Sequence, residues 1–160
     1  MNKPIIAIMY DFDDTLAPDN MQEYAFIPSL KINPESFWKE TALLAKKNNM
    51  DSILAYMYTT VKKAKDKNLC INKQEFYKQG KAITYFNGVE TWFKRINDYG
   101  KKLGLQVEHY IISCGLKEIL EGTSIAKKFK RIYACNFAYD EEGTPIWPNQ
   151  AINYTSKTQY

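Results

Sequence analysis

An uninterrupted apolar run, Ile5-Ile6-Ala7-Ile8-Met9-Tyr10, passes directly into Asp11-Phe12-Asp13-Asp14-Thr15-Leu16. A segment that is apolar on both faces reads as a central strand of a parallel sheet, with helices covering each side. In open α/β sheets, ligands bind beyond the carboxyl ends of the strands. Three carboxylates therefore arrive where such a fold places its chemistry. A solvated turn with an Asp-rich helix cap is the plainer alternative. An apolar strand leading straight into Asp-x-Asp-x-Thr is more specific than a turn requires.

The chain after this stretch reads as helical for more than eighty residues. Pro18 and Pro28 interrupt a transition that has room for a short helix around Met21 to Phe26. Asn33-Pro34-Glu35 is a helix start: an Asn cap, Pro at the first position and an acid in the first turn. That helix carries Phe37, Trp38, Thr41, Leu44 and Ala45 on one side. A second, from about Asp51 to Lys65, repeats Leu54, Met57, Tyr58, Val61 and Ala64 at helical spacing. A third starts at Asn72, with Glu75 placed to complete a capping box. A fourth has Asn87 and Glu90 in the same pattern and an apolar stripe of Val89, Trp92, Phe93, Ile96 and Tyr99; Gly104 stops it. These stripes read as helix–helix core.

Strand character returns at Leu105 to Ile112 and ends in Ser113-Cys114-Gly115, with a short helix over Leu116 to Glu121. Arg131 to Cys135 is a third candidate strand. Asp140-Glu141-Glu142-Gly143 is a turn signal between apolar segments, so a hairpin follows. There is no internal repeat and no low-complexity tract.

Size and charge narrow the function. The 160 residues suffice for one compact domain or a small core with an inserted lobe. The net charge of +4 comes largely from scattered doublets such as Lys46-Lys47, Lys62-Lys63, Lys101-Lys102 and Lys127-Lys128. Separate doublets are solvated helix faces and not a nucleic-acid-binding stripe, though a mild positive field attracts phosphorylated metabolites. Cys70, Cys114 and Cys135 are too widely spaced for a CxxC zinc site and fit a reducing cytoplasm. No stretch approaches eighteen apolar residues, and no leader pattern opens the chain, so neither a membrane span nor a signal peptide is expected.

The acids suggest a chemistry. A carboxylate can attack phosphorus and form an aspartyl-phosphate. A second acid can protonate the leaving oxygen and then activate water. Two residues apart on extended chain, Asp11 and Asp13 point in broadly the same direction. Phosphate beside carboxylates calls for positive charge, and a hard cation with oxygen ligands, most naturally Mg²⁺, suits that need. Ser113 closes the second apolar strand, and Gly115 permits close approach of backbone to a ligand. The N–H groups of Cys114 and Gly115 are expected to open the next helix and face an anion.

At this point the chain resembles the haloacid dehalogenase-like hydrolase superfamily, in its aspartate-nucleophile phosphatase branch. Asp11, Asp13 and Thr15 match its first motif, Ser113 its second, and Lys157 is the candidate for its third. The resemblance implies an α/β, Rossmann-like parallel-sheet core over residues 1–17 and 88–160, with a helical cap inserted over residues 18–87. It implies that Asp11 is the nucleophile and a Mg²⁺ ligand. Asp13 would be the general acid/base, with its carbonyl on the metal. Ser113 and Lys157, with the Cys114 and Gly115 amides, would bind the phosphoryl group, and Thr15 would buttress the loop. Asp14 stands at a variable place, and His109 reads as a structural strand residue. The implied activity is Mg²⁺-dependent hydrolysis of a small phosphorylated metabolite.

The sequence departs from the family at its fourth motif, an acidic Gly-Asp-x-x-x-Asp cluster that completes the metal shell. Only Thr158, Gln159 and Tyr160 follow Lys157, and Asp140 to Glu142 belong to a hairpin tip. The chain therefore reads as a family member cut short at its C-terminus, with an incomplete core. That keeps open a rival reading, a catalytically weak form that binds phosphate or a protein partner without turnover. A receiver-like phosphoacceptor also gathers acids, Ser/Thr and Lys at strand ends, but it alternates strands and helices throughout and lacks a large helical insertion.

Overall fold

The computed structural model describes residues 3–160. Four strands, β1 (Ile5–Tyr10), β2 (Gln106–Leu116), β3 (Arg131–Tyr139) and β4 (Pro145–Gln150), form one sheet in the order β1-β2-β3-β4. β1 runs parallel to β2 from Ile5↔Gln106 to Tyr10↔Ile111, and β2 runs parallel to β3. β3 and β4 form the expected hairpin, antiparallel, with Asp140 Oδ1 accepting the Glu142 and Thr144 N–H groups to close its tip. The fold is thus a Rossmann-like α/β sheet core with flanking helices and an antiparallel last strand.

Six helices separate β1 from β2: α1 (Met21–Tyr24), α2 (Phe26–Ser29), α3 (Pro34–Asn48), α4 (Ser52–Asp66), α5 (Lys73–Gln79) and α6 (Val89–Lys102). The starts of α3, α4 and α5 follow from their caps. Asn33, Asp51 and Asn72 each accept backbone N–H groups of the first turn, filling donors the helix leaves orphaned. α7 (Lys117–Glu121) follows β2. Phe26 meets Phe37 edge-on at 6.2 Å, and Phe76 stacks on Phe137 at 6.0 Å, so the helical block and the sheet share an aromatic core. α5 and the end of α7 approach through glycine: a Cβ at Gly122 would lie 1.8 Å from the Tyr77 carbonyl oxygen.

Four expectations need correction. β1 is not a central strand among the described residues but the sheet edge, with Ile5 and Met9 each 57% exposed. Apolar character on both faces reports what a strand can pack against, not how many neighbours residues 3–160 supply. β2 continues through Leu116 instead of stopping at Ile112, and its register with β3 shifts between those two residues. Cys114 and Gly115 therefore lie in an irregular strand end, and α7 opens at Lys117, after them. The Asn87–Glu90 capping box does not form: Gly88 caps α6 with φ +91° and no side-chain hydrogen bond, a conformation glycine adopts freely. On α4 the buried face is turned towards Ile53, Tyr56, Met57 and Thr60, leaving Leu54 and Tyr58 exposed.

His109 is buried in a polar bridge between sheet and helix. Its Nδ1 pairs with the Tyr10 hydroxyl at 2.9 Å and its Nε2 with Asn97 Oδ1 at 3.0 Å. Trp92 Nε1 donates to the same Tyr10 hydroxyl. Burial pushes the imidazole pKa down, which favours the neutral ring. Among the described residues no helix is long and apolar enough to cross a membrane.

Candidate active site

The end of β1 turns sharply because one carbonyl collects three amides. Phe12 O accepts from the N–H groups of Thr15, Leu16 and Ala17, while Asp14 takes a left-handed φ of 56°. Phe12 is fully buried, which anchors the turn between Asp11 and Asp13. Asp11 Oδ1 accepts its neighbour's amide, Phe12 N, at 2.8 Å. Asp13 Oδ1 accepts Met21 N, the first amide of α1, at 2.9 Å.

Asp11 and Asp13 open onto a cavity of about 300 Å³, together with Asp14, Thr15, Cys114, Gly115 and Lys157. Asn20, Gln22, Trp38, Ile53, Tyr56 and Tyr154 complete the lining; the Tyr56 hydroxyl donates to the Cys114 carbonyl at 2.9 Å, and the Tyr154 ring centre lies 5.8 Å from Lys157 Nζ. Lys157 reaches across from the C-terminal segment, and its Nζ donates to Asp11 Oδ2 at 2.5 Å. The lysine is held there by a chain of contacts. Asp51 Oδ2 accepts Asn153 Nδ2, the Asn153 carbonyl accepts Lys157 N, and Cys135 Sγ accepts Ile152 N.

The two acids live in different surroundings. Asp13 is mostly enclosed, and its pKa is pushed up to about 7. Burial is the main cause; the charges of Asp11 and Asp14 add to it, against the Met21 amide and Lys157. Asp11 is more exposed and lies against the ammonium. Burial would lower the Lys157 pKa, but the hydrogen bond to Asp11 and nearby acidic groups outweigh it and hold the pKa above its usual value. Cys114 is pushed up by burial, so its thiol stays protonated at neutral pH.

The structure thus gathers Asp11, Asp13, Thr15, Cys114, Gly115 and Lys157 around one cavity. Ser113 is not in that wall. It is fully buried, and its Oγ accepts Gly115 N at 2.9 Å, which also occupies the amide expected to face a ligand. Thr15 supports the turn through its backbone N–H, while its hydroxyl has no protein partner among the described residues. Asp14 is exposed at the rim. Residues missed at the level of sequence are Asn20, Gln22, Trp38, Tyr56 and Tyr154, together with Asp51 and Asn153, which position Lys157. Most of the wall residues sit on helices whose apolar period indicates burial but not whether the buried side faces core or cavity.

Fit to a hard cation is a question of donors. The Asp11 carboxylate and the Asp13 carbonyl are oxygen donors of the kind Mg²⁺ takes, and Mg²⁺ is usually held by one or two carboxylates plus substrate phosphate and water. The donors therefore fit in kind. Among the described residues no group of three or more His, Cys, Asp or Glu side chains converges as a metal site.

No protein-family model matches the chain. An uncharacterised protein of Borreliella burgdorferi is 30% identical over 145 residues, covering 83% of this chain and 50% of that protein. The chain thus spans about half the length of the relative it matches. A HAD family hydrolase from Salmonella enterica serovar Typhi superposes with a TM-score of 0.62 at 16% identity, over 98% of this chain and 50% of that one. A phosphoserine phosphohydrolase-like protein from Francisella tularensis gives 0.58 at 17% identity, over 92% and 65%. A phospho-aspartyl intermediate analogue of phosphoserine phosphatase gives 0.57 at 19% identity, over 89% and 61%. Each of these solved proteins is longer than the region matched. At these identities what is shared is the architecture: the chain has the Rossmann-like α/β fold of HAD-family hydrolases and phosphatases.

Proposed function

We propose that the chain belongs to the aspartate-nucleophile phosphatases and hydrolyses a small phosphorylated metabolite through an aspartyl-phosphate. The observation that carries this reading is the pairing of Asp11 with Lys157 at the mouth of the cavity, with Asp13 enclosed beside them. An exposed carboxylate is a nucleophile; an enclosed one keeps its proton and can give it away.

In the first step a carboxylate oxygen of Asp11 attacks phosphorus. The phosphorus–oxygen bond to the organic group breaks, and the departing oxygen takes the proton of Asp13. In the second step the Asp13 carboxylate removes a proton from water, which attacks phosphorus, freeing phosphate and restoring Asp11. Lys157 follows the negative charge from the Asp11 carboxylate to the phosphoryl oxygens. The Cys114 and Gly115 backbone lies against the same oxygens, and Ser113 joins them once its hydroxyl releases Gly115 N–H. Asp11 and the Asp13 carbonyl would hold Mg²⁺, which would supply charge neutralisation for the phosphoryl group.

Residues 18–87 act as the cap in this reading, since α3 and α4 bring Trp38, Ile53 and Tyr56 to the cavity wall. The three cysteines are free thiols, in keeping with a cytoplasmic protein whose substrate is small and which takes neither nucleic acid nor membrane as partner. A second reading has the sparse metal donor set in its favour: these 160 residues bind phosphate or a protein partner with little turnover. Hydrolysis of p-nitrophenyl phosphate with and without Mg²⁺, by the wild type and Asp11→Asn, separates the two. The phosphatase reading expects metal-dependent activity that Asp11→Asn abolishes. Activity that survives Asp11→Asn contradicts the mechanism, and phosphate binding without any hydrolysis favours the second reading.

A further inference from the structure

We propose that Gln22 recognises the organic part of the substrate, and that this part is an uncharged, hydroxyl-bearing ring of the sugar kind and not an amino-acid zwitterion. The inference rests on the phosphatase reading and names the substrate class for its site. Gln22 is 2% exposed and lines the cavity, yet no described residue hydrogen-bonds its side-chain amide. Its amide atoms open onto the cavity and are left for a bound partner. Its backbone cannot easily turn to find one. On one side Met21 is fixed, its N–H on Asp13 Oδ1 and its Sδ accepting Leu116 N. On the other, Glu23 Oε1 accepts both Asn20 Nδ2 and Trp38 Nε1. The amide is thus aimed at whatever fills the cavity.

Charge selects among the candidates. The charged residues of the cavity wall are Asp11, Asp13, Asp14 and Lys157. The rest of the lining carries no charge, and much of its polar capacity is already used: the Tyr56 hydroxyl donates to the Cys114 carbonyl, the Asn20 and Trp38 N–H groups donate to Glu23, and the Tyr154 ring lies against Lys157 Nζ. A zwitterion would bring its carboxylate there against no free cation among the described residues, a costly burial of unpaired charge. A sugar hydroxyl both donates and accepts, as the Gln22 amide does, and the Trp38 ring supplies an apolar face for the ring carbons. The cavity, about 300 Å³, suits a small ligand of this size.

Isothermal calorimetry on the 160-residue chain carrying Asp11→Asn, in Mg²⁺, tests the proposal with glucose 6-phosphate, phosphoserine and inorganic phosphate as probes. Glucose 6-phosphate is expected to bind about tenfold or more tighter than phosphoserine, and adding Gln22→Leu is expected to cut its advantage over inorganic phosphate by about tenfold. Phosphoserine binding as tightly as glucose 6-phosphate, or no glucose 6-phosphate binding at all, overturns the proposal from the Gln22-bearing protein alone, whether or not Gln22→Leu folds. An unchanged ratio in a folded Gln22→Leu protein, checked by its thermal melt, overturns it too. Inorganic phosphate that binds without the expected ranking removes this inference and leaves the phosphatase reading standing. The expected ranking, beside wild-type hydrolysis that survives Asp11→Asn, removes the mechanism and leaves the ligand class standing.

Discussion

Asp13 bears a cost that its position explains. A carboxyl whose folded pKa lies near 7, against an ordinary value of 3.8, holds its proton more tightly folded than unfolded. Between those two values the native state binds the extra proton, so stability falls as pH rises through that window and stays low above it. In chelator-treated protein, Asp13→Asn is therefore expected to raise the melting temperature at pH 8 and to change it little at pH 4. The gain has an upper bound of about 4 kcal/mol from a shift of roughly three units. Equal melting temperatures at pH 8 would remove the burial argument. Lys157→Ala is expected to weaken inorganic phosphate binding by roughly tenfold to a hundredfold, the worth of a charge-assisted hydrogen bond, measured by calorimetry. Asp11 and Asp13 were legible in the sequence because they are neighbours on one strand end. Gln22 was not, because an amide two residues into a short helix carries no periodic signal. Its meaning comes from Trp38 and Tyr56, which lie sixteen and thirty-four positions away.

The elements that place the site are held by contacts the sequence records only in part. The caps Asn33, Asp51 and Asn72 were readable from residue type and spacing. Gly88 was overlooked because Asn87 and Glu90 offered a pattern, but a glycine at φ +91° already sets the entry of α6. The length of β2 was misread because Ser113-Cys114-Gly115 resembles a strand end, whereas pairing of Leu116 with Cys135 carries the strand on. α5 and α7 pack so closely that Gly122→Ala must displace the Tyr77 backbone. Urea unfolding is expected to show a loss of about 3 kcal/mol, at the upper end of overpacking costs. α7 is also tied to β3 by Glu118, whose Oε1 accepts the Tyr139 hydroxyl at 2.8 Å while its Oε2 is buried without a partner. Burial raises the pKa of both groups. Tyr139→Phe would orphan the second oxygen too and is expected to cost about 1–3 kcal/mol, again by urea unfolding.

At the scale of the molecule, β1 leads into Asp11, the proposed nucleophile, and among the described residues it also forms the open edge of the sheet. The apolar run that announced a buried strand leaves Ile5, Ile6 and Met9 exposed, and exposed apolar edges pair with other strands. Light scattering on the 160-residue chain is expected to show association that grows with concentration and that Met9→Lys suppresses. A monodisperse wild type would argue against that. Fold class was legible because two apolar strands framing a helical block admit few topologies, and pairing partners were not, because an apolar edge and an apolar centre read alike. The central claim is that Asp11 takes the phosphoryl group, and trapping the acyl-phosphate tests it most directly. Protein quenched in acid during exposure to p-nitrophenyl phosphate and Mg²⁺, reduced with borohydride and digested, should carry homoserine at position 11. The mark should vanish without Mg²⁺. An unmodified Asp11, or a phosphoryl mark on another residue, would contradict the account.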